Sequence, residues 1–400
     1  MKVLWIIRNS MPFVYPDSEF RRTFENVIGK DNVVFYTIPN LPTHDESQMS
    51  YYPENPKIVN LFPEQVKEEK PDVIVNDGLY MNDIGHMTDI PKITFINDVH
   101  AEWQNRKYRF LNKEFDVLFL RMYGGGVGIR AKQEFGGTVG YCPRSVPTDM
   151  FYNQHFERTI DVFLAGCCNI IYPIRVAMWK WLFNNGFNGK TVGTLKVIIN
   201  AKRFLYPEYL NILCMSKITA FDGGLFKFPV MKYWESMATE SLCLADLPLD
   251  YKALGIVPNE NMIEINMYNF MDKWKYYLEN DEERKRITRN GLNLILQKHS
   301  DKCRAKQLLV QLEEVINSKN EGRKFDPNNV KEMRDIFSML EEKENNTFNP
   351  NNLLNRCMNE GQCAYTKWDR NSITIWNEIL NNINWNESIK RWDDYIKQYI

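Results

Sequence analysis

"KITAFDGGLFKFPVMKYWESMATESLCLAD", residues 217–246, packs a complete folding unit into one stretch. A short β-branched run ends at Asp222 and a Gly-Gly pair, Gly223 and Gly224. After Pro229 comes an amphipathic segment carrying Lys232 and Glu235, and then a second apolar run, Leu242 to Ala245. Short apolar runs bounded by turn residues read as strands buried on both faces, and the segment between them reads as a half-buried helix. The glycines permit a sharp turn or a close approach to a ligand. Pro229 suits the first turn of a helix, where its missing N–H costs nothing. That helix start would offer unpaired amides and a positive dipole end, suited to phosphate. Glu235, two turns further on, could accept hydrogen bonds from a ribose diol. A plain loop followed by a solvated acid would leave the same residues, and this stretch alone does not decide between the two.

The same alternation runs outward in both directions. Before it lie "KVLWII" (2–7), "NVVFYTI" (32–38), "DVIVN" (72–76), "KITFIN" (92–97) and "DVLFL" (116–120), with helical stretches between. The helix candidate "DSEFRRTFENVIG" (17–29) has Asp17 or Ser18 to start it and Gly29 to end it. The pattern pauses at "GYCPRSVPTDMFYNQHFERT" (140–159), which reads as a linker. It resumes with "DVFLAG" (161–166), "TLKVII" (194–199), "KITAFD" (217–222), "SLCLAD" (241–246) and "MIEIN" (262–266). Residues 269–299 read as two helices broken near Asn280–Asp281. Strand–helix alternation implies parallel sheets covered by helices. The expected architecture is α/β: two Rossmann-like domains facing across a cleft, residues 1–150 and 151–318, plus a helical extension over 319–400. In that extension Trp385, Ile389, Trp392, Ile396 and Tyr399 form one apolar helical stripe.

Composition narrows the function. The chain has 400 residues, 44% hydrophobic and 25% charged, which is ordinary for globular domains. A net charge of −1 excludes a global basic field for a polyanion, although "NRKYRFLNK" (105–113) could form a local patch. The 8 cysteines contain no C-x-x-C pair, arguing against a zinc site or a disulfide framework and for buried thiols in a reducing compartment. No apolar run approaches the ~18–20 residues of a membrane helix. The N-terminal run Val3 to Ile7 is shorter than the ~7–15 residues of a signal-peptide core. The expectation is a cytoplasmic protein without membrane insertion, of open oligomeric state.

In open parallel sheets, ligands sit beyond the carboxyl ends of the strands. The residues there are Asp98 and His100 after "KITFIN", Gly166 after "DVFLA", "DGGLFKFP" after "KITAF", and "DLPLD" after "LCLA". "YGGGVGIR" (123–130) lacks the G-x-G-x-x-G spacing and reads as a loop. An imidazole at position 100 could move a proton or bond a substrate, or simply cap a loop.

Several motifs, in order, resemble the GT-B glycosyltransferases of glycosyltransferase family four, and more closely the CgeB-like spore-maturation group. "KYWESMATESLCLAD" (232–246) is similar to K-x-F-E-A-[ML]-A-x-G-x-L-[LV]-L-x-[DE]. "VPTDMFY" (146–152) resembles the interdomain turn GVDxxxF, and "RTIDVFLAGCCNIIYPIR" (158–175) resembles R-x-x-D-V-x-F-x-G…Y-P-x-R. Gly291, His299 and Arg304 keep the spacing of the closing helices, where His299 reads as structural. The resemblance spans roughly residues 70 to 318.

It implies transfer of a sugar from a nucleoside-diphosphate sugar to an acceptor hydroxyl, with retention, and with neither metal nor cofactor. The acceptor would be a glycan, a protein or a modified nucleobase. With it, Glu235 is expected to bind the ribose, Arg175 and Lys232 to neutralise the diphosphate beside Gly166, Gly223, Gly224 and Lys227, and Asp98 and His100, from their place after a strand, to be catalytic. No D-x-D occurs for a diphosphate-bound metal. The chain departs from the family in three places. Lys227 stands where the first acid of E-x7-E belongs, Glu240 stands at a usual glycine, and residues 8–18 contain no glycine. Two alternatives therefore stand beside the transferase: a DNA-base (hydroxymethyl-pyrimidine) glycosyltransferase and a degenerate GT-B binding protein without turnover.

Overall fold

The computed structural model describes residues 1–8, 15–38, 68–76, 89–96, 115–124, 128, 131–133, 138–166, 172–199, 207–224 and 227–341. Within them the chain forms two units. One comprises Met1–Pro147 and the returning segment that begins at Ser300; the other comprises Thr148–His299.

The first unit holds strands β1 (Val3–Arg8), β2 (Val33–Ile38), β3 (Val73–Asn76), β4 (Lys92–Ile96), β5 (Val117–Leu120) and β6 (Thr138–Tyr141). Their order is β2-β1-β3-β4-β5-β6, and every pair is parallel. The five apolar runs predicted for this half are all strands. β6 was not expected: its last residues, Gly140 and Tyr141, belong to the sheet and not to the linker. "TVGY" is too short and too glycine-marked to stand out, and the sheet recruits it by pairing Leu120 with Tyr141.

Helix α1 (Tyr15–Ile28) begins before Asp17 and ends as expected at Gly29, whose φ of 95° suits glycine. Its Phe20 and Phe24 pack on Trp5 of β1, with the Phe24 ring edge-on at 5.1 Å.

The second unit holds β7 (Ile160–Leu164), α2 (Pro173–Asn184), β8 (Thr191–Val192), β9 (Leu195–Ile199), α3 (Glu208–Met215), β10 (Ser216–Ala220), α4 (Met231–Ala238), β11 (Leu242–Ala245), β12 (Ile263–Glu264), α5 (Phe270–Glu279) and α6 (Asp281–Leu294). The sheet order is β12-β11-β10-β7-β9-β8, parallel except for β8 against β9. The break between α5 and α6 falls at Asn280, as read from the sequence. A π-helical turn, Ile295–His299, closes the unit. Its His299 is buried, bonded to the Leu254 carbonyl at 2.7 Å and stacked on Trp234 at 3.9 Å. That agrees with a structural role.

Helix α7 (Asp301–Asn320) belongs to the first unit. Ser300 caps it by accepting from the Cys303 amide, and Asp301 N–H donates to the Val146 carbonyl at 3.0 Å. Ala305, Leu308, Leu312 and Val315 of α7 join the core around Trp5. Helix α8 (Lys331–Glu341) follows, and its Phe337 packs edge-on against Tyr123. The Trp385–Tyr399 stripe and the rest of 342–400 lie outside the described residues, as does "NRKYRFLNK". Among the described residues no helix is long and apolar enough to cross a membrane. Cys142, Cys214 and Cys243 are buried free thiols.

Candidate nucleotide-sugar site

The second sheet sets the position of the site. β7 enters first and lies inside the sheet; β9 joins one side of it and β10 the other. The direction of winding therefore reverses between β7 and β10, the crevice where open α/β sheets receive ligands. Gly166 follows β7 there, Asp222, Gly223 and Gly224 follow β10, and Asp246 follows β11.

Gly166 has a φ of 98°, a left-handed conformation that L side chains rarely adopt. A Cβ built on it would collide with the Arg175 guanidinium and would lie 2.8 Å from Lys232 Cε. Two cationic side chains from different helices thus press on one glycine. Arg175 stands in the first turn of α2 and is only 2% exposed. Its Nε lies 2.9 Å from Asp222 Oδ1, its Nη2 donates to the Asp222 carbonyl at 2.6 Å, and its guanidinium lies over the Tyr172 ring at 3.7 Å. Nη1 is the part that faces Gly166.

The turn after β10 is equally tight. A Cβ on Gly223 would lie 2.5 Å from the Phe228 carbonyl oxygen, so the returning backbone leaves room for glycine alone. Phe228 N–H donates to the Gly223 carbonyl, and Lys227 N–H to that of Gly224. Lys227 itself has a φ of 50°, unusual for a residue with a side chain, and its carbonyl accepts from Leu249 N–H at 3.2 Å. Pro229 lies just before the helix and not in its first turn: α4 begins at Met231, with Val230 as the capping position. The hydrogen bonds of the turn extend the non-helical backbone by that much.

Lys232 and Glu235 are three residues apart on α4, which puts them on one face. Glu235 is no solvated acid. It is 5% exposed, and its Oε2 accepts from the Tyr209 hydroxyl of α3 at 2.7 Å. Burial, and next the Glu235 charge, hold the Tyr209 hydroxyl well above its ordinary pKa, so it stays a donor. Tyr209 had no signal in the sequence: its partner is 26 residues away, and only the fold brings them together.

Asp222 and Asp246 were legible as residues after strands, but not as a linked pair. Burial pushes the Asp222 carboxyl up to about 7. Arg175 opposes that push, the Asp246 carboxylate adds to it, and the amides of α2 oppose it. Asp246 Oδ1 accepts from Gly223 N–H at 2.8 Å and from the Tyr233 hydroxyl at 3.0 Å. Gly166, Arg175 and Lys232 thus come together, and Gly223, Gly224 and Lys227 form one turn beside Asp246. Asp98 and His100, the expected catalytic pair, lie outside the described residues.

No protein-family model matches the sequence, and no curated protein is significantly similar to it. Solved structures are similar in fold. A glycosyltransferase from Rickettsia africae ESF-5 aligns with a TM-score of 0.54 at 12% identity, over 79% of this chain and 98% of that one. Sucrose-phosphate synthase from Thermosynechococcus elongatus aligns with a TM-score of 0.59 at 10% identity, over 80% of this chain and 100% of that one. Anabaena Alr3699/HepE, solved in complex with UDP-glucose, aligns with a TM-score of 0.55 at 9% identity, over 78% of this chain and 99% of that one. At these identities the likeness concerns the fold, which is that of the GT-B glycosyltransferases: two Rossmann-like α/β units in one chain.

Proposed function

We propose that the protein is a glycosyltransferase that moves a sugar from a nucleoside-diphosphate sugar to an acceptor hydroxyl, with retention and without a metal. The observation that carries this reading is the convergence of Arg175 and Lys232 on Gly166 at the switch point of the second sheet. Cationic groups fixed over a glycine are suited to the charge that develops on a leaving diphosphate, and preorganised charge of this kind is a large catalytic term. The positive dipole end at the start of α4 would add to it. Glu235, buried and held by Tyr209, would take the ribose diol. The HepE complex adds support by analogy, since that protein was solved with UDP-glucose. Asp98 and His100 remain the candidates for handling the acceptor proton, and the CgeB-like group remains the suggested relative.

A second reading, a GT-B fold that binds without turnover, draws on Lys227, whose left-handed backbone stands where the family places an acid. A panel of UDP-, GDP- and ADP-sugars, assayed for released nucleoside diphosphate with and without acceptors, separates the two. The transferase reading expects release with at least one donor and its loss in His100→Ala. Binding without release from any donor would favour the second reading.

A further inference from the structure

Two buried aspartates stand at the ends of adjacent strands, and the function proposed above gives neither a task. Burying carboxylates side by side is unfavourable unless each is paired and hydrogen-bonded. Asp222 is both, and Asp246 is hydrogen-bonded. Asp222 Oδ2 accepts from the Ile174 amide at 2.9 Å, and Oδ1 lies 2.9 Å from Arg175 Nε. Asp246 Oδ1 accepts from the Gly223 amide and the Tyr233 hydroxyl. Asp222 therefore ties the first turn of α2 to the end of β10, and Asp246 ties the glycine turn to the end of β11. The α2 start and the glycine turn belong to separate segments of chain, and the two aspartates link both to the strand ends.

We propose that Asp222 is a positioning residue for the diphosphate of the donor: by occupying the Nε–Nη2 edge of Arg175 it aims Nη1 over Gly166, while Asp246 and Tyr233 hold the Gly223 side of the same crevice. This rests on the nucleotide-sugar reading. Asp222 touches no substrate and makes or breaks no bond. An arginine left without Asp222 would keep its charge and lose its direction, because the planar guanidinium recognises phosphate through a fixed fork.

The test compares phosphorylated with unphosphorylated ligands. UDP, GDP and ADP, and the nucleosides uridine, guanosine and adenosine, are titrated calorimetrically into the full chain and into Asp222→Asn. The titrations are run at about pH 8.5, where the Asp222 carboxyl is ionised; asparagine keeps the size and an acceptor for Ile174 N–H but removes the charge facing Arg175. For the diphosphate the wild type binds best, the variant is expected to lose about tenfold or more, as for a charge-assisted hydrogen bond. Affinity for the matching nucleoside should stay unchanged. Equal losses for both ligands, or no loss for either, would overturn the proposal. Should Asp222→Asn not fold, Tyr233→Phe loosens the Asp246 side by a single hydroxyl. It should show the same selective loss, about threefold, and a loss without selectivity again overturns the proposal. A wild type that binds none of the three diphosphates would instead defeat the nucleotide-sugar reading on which this one stands.

Discussion

β1 and β7 hold equivalent places. Each is the first strand of its unit, and each lies inside its sheet with the next parallel strands on opposite sides, β2 and β3 around β1, β9 and β10 around β7. Both sheets bury continuous apolar runs against aromatic cores built on Trp5 in one unit and Trp274 in the other. They part company at the strand end. β7 runs into Gly166 and two cations, whereas the stretch from Arg8 to Ser18 contains no glycine.

The buried arginines differ in the same sense. Arg121 of the first unit donates to the Cys142 carbonyl and lies over the Phe95 ring at 4.2 Å, inside a packed core. Arg175 is paired to a carboxylate and sets Nη1 against Gly166 at the end of β7. The scaffold is shared, and the two strand ends differ in whether a glycine lets charge come close to the backbone.

The largest effects should be indifferent to this distinction. Trp5→Ala and Trp274→Ala each remove a fully buried indole, and each should cost about 3–5 kcal/mol in denaturant unfolding. A marked inequality between them would mean that one sheet is not the packed core described.

The next pair separates the units. Gly166→Ala should cost roughly 2–4 kcal/mol through its left-handed backbone and the crowding of Arg175 and Lys232, and it should abolish measurable nucleotide binding. Gly140→Ala in β6 would press on the Phe119 ring, 2.6 Å from the new Cβ, for about 1–3 kcal/mol, and should leave nucleotide affinity intact. Equal effects on binding would erase the contrast.

A smaller effect is a pH slope confined to the second unit. The Asp222 carboxyl titrates ordinarily at 3.8 and in the folded protein at about 7. Between those values the folded chain holds a proton that the unfolded chain releases, so this group's contribution is fully present at low pH and is lost as pH rises through the upper value. Melting temperatures from about pH 5 to about pH 8.5 should fall less steeply for Asp222→Asn than for the wild type.

Smallest of all are the surface pairs. Lys319–Asp116 in the first unit and Lys217–Asp161 in the second both measure 2.7 Å with lysines 32% exposed. Truncating either lysine should cost about 0.2–1 kcal/mol, alike in both units.

The sheets were legible in the sequence because their strands are buried on both faces. "KVLWII", "KITFIN" and "DVLFL" leave little choice once a run is apolar, β-branched and bounded by turns. β6 was not legible, since Thr138–Tyr141 becomes a strand only by pairing with β5. Of the candidate site, the glycines and Glu235 stood out through local pattern. Tyr209, Asp246 and the pairing of Asp222 with Arg175 did not, because each rests on a partner 13 to 47 residues away that the sheet order alone brings near.

The central claim is that the crevice between β7 and β10 grips the diphosphate and ribose of a sugar donor. Calorimetric titration of UDP, GDP and ADP into the wild type and Glu235→Ala tests it most directly. The account predicts that one diphosphate binds the wild type and binds Glu235→Ala at least tenfold more weakly, the loss of about 1.4 kcal/mol expected for a buried charged acceptor. An affinity that Glu235→Ala leaves unchanged would contradict it.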